Sequence, residues 1–119
     1  NGISGIGYVV IIDENFTASM VNTTNASISF GQRCGVSNKI FLPNDFGWVQ
    51  VKGIASIRAI IGASSNVTLN TTSIDGQIDD DETMGSVRLR GIILSSLALD
   101  ANSNVTGILD NPRIGATIS

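Results

Sequence analysis

Asp79-Asp80-Asp81-Glu82, with Asp75 just upstream, is the densest set of hard oxygen ligands in this 119-residue sequence. Such carboxylates bind calcium when they converge on one point. Contiguous acids on an extended chain point to alternate sides, so the expectation is a solvated loop holding no metal. The same acids would suit a rim contact with a basic partner surface, where charge tunes specificity more than affinity. Asp13 and Glu14, taken with that loop, are material for the paired carboxylates of a glycosidase, although turn residues that keep a hydrophobic chain soluble are the simpler reading. There is no His, which removes imidazole bases, His-dependent triads and most zinc sites. Cys34 is the only cysteine, so no intramolecular disulfide forms, and a small buried hydrophobe is its expected role. No nucleophile motif is present. The expectation is therefore a non-enzyme with no catalytic residue, no cofactor and no metal ligand.

The remaining chemistry is that of surfaces. Trp48 and Tyr8 are the single Trp and Tyr. That is a thin supply of the aromatic platforms on which carbohydrate-binding modules stack sugars, and Trp48 reads as a partly buried core anchor or an interface hot spot. Six Asn-x-Ser/Thr sequons occur, at Asn15, Asn22, Asn25, Asn66, Asn70 and Asn104, against roughly two expected by chance from the composition. They suit a secreted glycoprotein or, as the favoured reading, a by-product of Asn/Thr-rich turns. Net charge is −3 and the 7 Lys and Arg are scattered, which argues against a nucleic-acid surface. The longest unbroken apolar run, Tyr8–Ile12, is far short of the about 20 residues a membrane helix needs.

The elements that must position these residues read as strands. Ile and Val number 26 against 9 Leu and Met, with 13 Gly as punctuation. β-branched side chains fit a pleated surface, so the class is all-β in one domain. The clearest stretch is Phe46–Ile61. Its odd positions are Gly47, Val49, Val51, Gly53, Ala55, Ile57, Ala59 and Ile61, while Gln50, Lys52, Ser56 and Arg58 stand on the even face. That is the period of two that puts alternate residues inside. Fully extended it would span about 50 Å, against a radius of gyration of about 13–14 Å for a domain of this length. It must bend, and Gly53, on the inward face, is the expected corner. Helical spacing of Ile54, Ile57 and Ile61 is the weaker alternative. Tyr8–Asp13 predicts a strand buried on both faces, Phe16–Val21 a returning strand, and 22–29 a polar loop with a short strand near Ile28–Phe30. Gly31–Gly35 predicts a turn and Val36–Leu42 irregular chain. Val67–Thr71 and Ile78 flank an Asp75-Gly76 hairpin signal. Val87, Leu89, Gly91 and Ile93 share an inward face with a second corner at Gly91. Residues 95–104 predict a loop with one helical turn at Leu97–Ala101, and Val105–Leu109 and Arg113–Ile118 two last strands parted by Asp110-Asn111-Pro112. Residues 1–7, with three glycines, read as an N-terminal arm on a β-domain of 8–119.

Four stretches, in order, resemble one family. Pro43-Asn44-Asp45-Phe46-Gly47-Trp48-Val49-Gln50-Val51-Lys52-Gly53 looks like the Gly-Trp-Val-Gln-Val-x-Gly segment of the head decoration (cement) proteins of tailed bacteriophages, especially phages of marine bacteria. Val67–Asp81 is similar to that family's threonine-rich stretch leading through Gly-Gln-Leu to an acidic triplet. Val87–Leu94 is similar to its Gly-Ile-x-Leu strand, and Tyr8–Ala18 to its start. The resemblance implies a small β-barrel or β-tulip domain (jelly-roll or sandwich as alternatives). It implies a virion protein that binds the outer surface of an assembled capsid, with the major capsid protein and its own homotrimer as partners and neither nucleic acid nor membrane. It carries no catalytic residue over. At 97–104 the chain departs from the family's Gly/Ala-rich loop. The competing expectation is a secreted β-sandwich module for adhesion or glycan binding.

Overall fold

The computed structural model describes residues 2–60, 62–95 and 104–118. Among them the chain forms β1 (Val9–Ile12), β2 (Ala18–Met20), a four-residue helix α1 (Thr23–Ala26), β3 (Arg33–Ser37), β4 (Val49–Gln50), β5 (Lys52–Arg58), β6 (Leu69–Thr71), β7 (Ile78–Asp79), β8 (Val87–Leu94) and β9 (Asn104–Thr117). All named pairings are antiparallel and follow the order β2-β1-β3-β9-β8-β6-β7, with β4 added to β3 and β5 to β9. The result is all-β, a sheet curled into a half-barrel, with a radius of gyration of 12.6 Å. The curl brings remote edges together. Ala59 bridges Ile78, and the Ile60 amide donates to the Ile78 carbonyl at 3.0 Å. On the other flank Gly76 donates to Val21 at 2.7 Å and accepts from Val9 at 3.1 Å. Inside lies one apolar cluster that includes Val9, Val36, Ile57, Leu69, Ile78, Val87, Leu94 and Leu109.

The long ribbon bends as expected but divides. β4 stays on β3, through Val36↔Gln50. β5 crosses to β9, from Lys52↔Asp110 to Arg58↔Asn104. From Ala55 to Ala59 the odd face is buried, as alternation requires; before it, Gly47, Val51 and Gly53 are exposed. Gly53 sits at the fork with φ +92°, and a Cβ there would meet only Gln50 Nε2 at 3.6 Å. It is needed for its left-handed backbone, not for inward space. Two further irregularities fall beside it. β8 and β9 slip register between Arg90 and Ile92, and Gly91 (φ +80°) and Asn111 (φ +48°) occupy the bulge. The Asn111 amide donates to the Val51 carbonyl at 2.8 Å. One corner line thus runs across β5, β9 and β8. Bulges are the usual means of bending a sheet.

That bulge also changes the alternation of β8. Val87 and Leu89 are buried as predicted, but Ile92 and Leu94 follow them inward instead of Gly91 and Ile93. The two last strands predicted around Asp110-Asn111-Pro112 are one 14-residue strand. Pro112, which lacks a donor, is tolerated because it lies at the bulge. β3 begins at Arg33, inside the stretch read as a turn, and Gly35 is there because a Cβ would stand 2.9 Å from the Gln50 carbonyl oxygen. Residues 22–29 hold α1 in place of a strand at Ile28–Phe30; the Asn22 side chain caps it, accepting from the Asn25 amide at 2.7 Å, and Ala26 is buried against the core. The helical turn expected at Leu97–Ala101 lies outside the described residues.

The segment expected as an arm is docked along the domain. Ile3 is buried and exchanges two backbone hydrogen bonds with Phe41, at 2.8 and 2.9 Å. Gly7 donates to Ser37 at 2.7 Å and accepts from the Arg58 amide at 2.8 Å. The Ile6 carbonyl accepts from Asn104 Nδ2 at 3.0 Å. Removing residues 1–7 is therefore expected to destabilise the domain itself, read as a lower thermal midpoint, in contrast to the clean loss of attachment that an arm implies.

Candidate functional site

The concave face between the first turn and the β3–β4 connection is where exposed apolar chemistry collects. Turn residues fix it locally. Asp13 Oδ1 accepts from the amides of Asn15 at 2.9 Å and Thr17 at 3.0 Å. This turn holds Phe16 at φ +61°, a left-handed conformation that is an outlier for a bulky residue. Phe16 is nevertheless 76% exposed, with the Arg33 guanidinium 4.7 Å from its ring centroid. Across the face, Asp45 closes its own turn, its Oδ2 accepting from the Leu42 amide at 2.8 Å. The missing side chain of Gly47 lets the Phe41 ring lie against the backbone. The chain then presents Phe46, 95% exposed, and Trp48, 90% exposed, beside Leu42. Together with Ile3, Ile12 and Val49 these residues line a groove of about 690 Å³. Such a volume falls within the range of small-molecule and peptide sites, and an exposed apolar patch of this kind marks an interaction surface. Trp48, expected to be partly buried, is not a core anchor.

The other candidate residues have distinct settings. Asp13 serves its own turn. Cys34 is buried on β3, and burial pushes its thiol up to about 12, with Arg113 nearby opposing the shift. At pH 8 the thiolate fraction falls roughly a thousandfold below that of an unfolded cysteine. We expect iodoacetamide to label the native protein at least a hundredfold more slowly than the urea-unfolded chain, on the order set by that thiolate fraction; equal rates would contradict the burial. Tyr8 is half-buried under the Arg58 guanidinium, 4.6 Å from its ring centroid. Of the sequon asparagines, Asn70 is fully buried. Asn22 caps α1 and donates to Asp75 at 2.7 Å. Asn25 donates to the Met20 carbonyl at 3.1 Å, and Asn104 to Ile6. Four of the six therefore have structural work that accounts for an asparagine without a glycan.

The acidic stretch departs from the alternation argument. Asp79 ends β7, and the chain then turns so that one carboxylate oxygen from each of Asp79, Asp80 and Asp81 lies within 4.8 Å of the others. Burial raises the Asp79 carboxyl above its ordinary value; the Asp81 amide opposes this and the Asp81 charge adds to it. Glu82 stands apart, 3.6 Å from Arg88.

Comparisons with protein families, with curated proteins and with solved structures return no match for this chain. The groove and the acidic turn must be read on their own chemistry.

Proposed function

We propose that this chain is a phage capsid decoration protein, a structural component that docks on the outer surface of an assembled shell and stabilises it by association alone. The observation that carries the reading is the groove. Phe16, Leu42, Phe46 and Trp48 are exposed on one face, and Phe16 is held there in a strained backbone conformation with its ring against the Arg33 guanidinium. Aromatic anchors of this type dominate protein interfaces. The segment Asn44–Val49, which lines one side of the groove, also lies within Pro43–Gly53, one of the four stretches whose sequence resembles the decoration family. Binding the assembled lattice in preference to its free subunits stabilises the lattice by mass action, and trimer formation would multiply weak contacts by making later ones intramolecular.

The test is co-sedimentation of the purified protein with shells of the cognate virus stripped of it. Wild type is expected to saturate the shells. Trp48→Ala with Phe46→Ala should weaken occupancy by about thirtyfold or more, the scale of one interface hot spot, with the thermal midpoint unchanged because both residues are solvated. Undiminished occupancy of the double variant would overturn the docking role of the groove, and absence of wild-type binding would overturn the function. The exposed Trp48 beside Asn44 and Thr17 also favours a second reading, a glycan-binding adhesion module, which a glycan array distinguishes by a saturable hit that Trp48→Ala abolishes.

A further inference from the structure

The acidic turn offers oxygen ligands, and an independent observation beside it points to what they take. Asn70 has no exposed surface and is the register partner of Asp79 across β6 and β7. Directly paired residues of antiparallel strands project from the same face, so the Asn70 amide and the Asp79 carboxylate are neighbours. Asn70 Nδ2 donates to the Asp81 backbone carbonyl at 2.9 Å, which fixes the amide against the turn. Its Oδ1 is buried with no hydrogen-bond partner. An orphaned buried acceptor is costly, and this one belongs to an amide held against the turn that carries the three converging carboxylates. An additional donor or a cation is what such a set lacks.

We propose that Asp79, Asp80, Asp81 and the side-chain oxygen of Asn70 form a calcium site that clamps the acidic turn to β6. The ligands are all hard oxygens. Calcium–oxygen distances of about 2.3–2.6 Å put ligands of one ion at most about 4.6–5.2 Å apart, and the three carboxylate oxygens, all within 4.8 Å of one another, fall inside that limit. Three ligands from consecutive residues plus one from a neighbouring strand make an irregular shell. Calcium accepts this, whereas magnesium demands a compact octahedron at about 2.0–2.1 Å. The neighbouring acids are otherwise engaged, Glu82 with Arg88 and Asp75 with Asn22. Asp80 Oδ2 also accepts from the Ser64 amide at 3.0 Å, so an ion here would join β6, β7 and the chain following β5, the closure of the half-barrel.

The experiment is thermal denaturation and isothermal titration of the whole chain with calcium chloride, against EDTA and against magnesium chloride at equal ionic strength. A one-site isotherm with Kd of about 10⁻⁴–10⁻³ M, the range of exposed extracellular-type sites, and a midpoint raised by several degrees are expected. Asp81→Asn, at an exposed position, should weaken calcium at least tenfold while leaving the midpoint in EDTA no lower than that of the wild type, because it removes a charge that repels Asp79 and Asp80. Asn70→Asp keeps an oxygen ligand but loses the donor to the Asp81 carbonyl, so its midpoint should fall in EDTA and be raised by calcium more than that of the wild type. The absence of a calcium-specific shift, an equal shift with magnesium, or an equal shift in Asp81→Asn would each overturn the site. The first would assign Asn70 Oδ1 to a bridging water, and the second would reduce the effect to screening of an acidic surface.

Discussion

Ile57→Ala is expected to lower the unfolding free energy by about 2–5 kcal/mol. Ile57 is fully buried near the end of β5, paired with Val105 on β9. Its Cδ1 occupies the space over Gly107, where a Cβ would collide with it. Truncation removes the apolar contact and leaves a void that Gly107, having no side chain, does nothing to fill. Ile57→Val, which removes one methylene, should cost about 0.5–1.5 kcal/mol. Urea denaturation monitored by circular dichroism reads both. A loss below 1 kcal/mol for Ile57→Ala with an unchanged m-value would mean that the half-barrel has no packed centre at this position.

Gly91→Val is expected to cost more than about 3 kcal/mol, because two named penalties coincide. The backbone there is left-handed, at φ +80°. A Cβ would also stand 2.7 Å from the Asp110 carbonyl oxygen and 3.0 Å from Pro112 Cα, main-chain atoms that move only if the bulge moves. Gly85 provides the control. Its φ is +92° but nothing lies within 4 Å of its added Cβ, so Gly85→Ala isolates the conformational penalty of about 1–2 kcal/mol. The difference between Gly91→Ala and Gly85→Ala then measures the collision alone. Equal losses would show that the corner line yields freely.

Much of this fold was legible because a period of two needs nothing but side-chain type. The inner half of β5 follows from it directly, while β1 was legible as an unbroken apolar run and the β6–β7 hairpin from the Asp75-Gly76 turn signal. The failures occur where a backbone irregularity intervenes. Gly91 sits in a bulge, so every inward residue after it moves by one position, and no alternation pattern carries that information. Pro112 reads as a break because a proline lacks a donor; only the register of β8 against β9 shows that none is needed there. β3 was hidden behind Gly31 and Gly35, the second of which is required by the close approach of β4. At the sites, the residues were visible and their settings were not. Trp48 stood out in composition, but its exposure depends on the ribbon leaving the core before Ala55. The three aspartates stood out too, yet their convergence depends on a turn after β7 that contiguous acids do not specify.

The position of β9 governs how this chain acquires its structure. β9 lies between β3 and β8 and also carries β5, yet it is the most C-terminal of the strands. Until residues 104–117 leave the ribosome, β1, β2, β3 and β4 form one patch and β6, β7 and β8 another, with no strand to join them. Folding of this sheet must therefore wait until residues 104–117 have been synthesised, and the nascent form must be kept from aggregating until then. Non-local pairing of this kind is slow, so a refolding time of milliseconds to seconds is the kinetic signature of placing the keystone last.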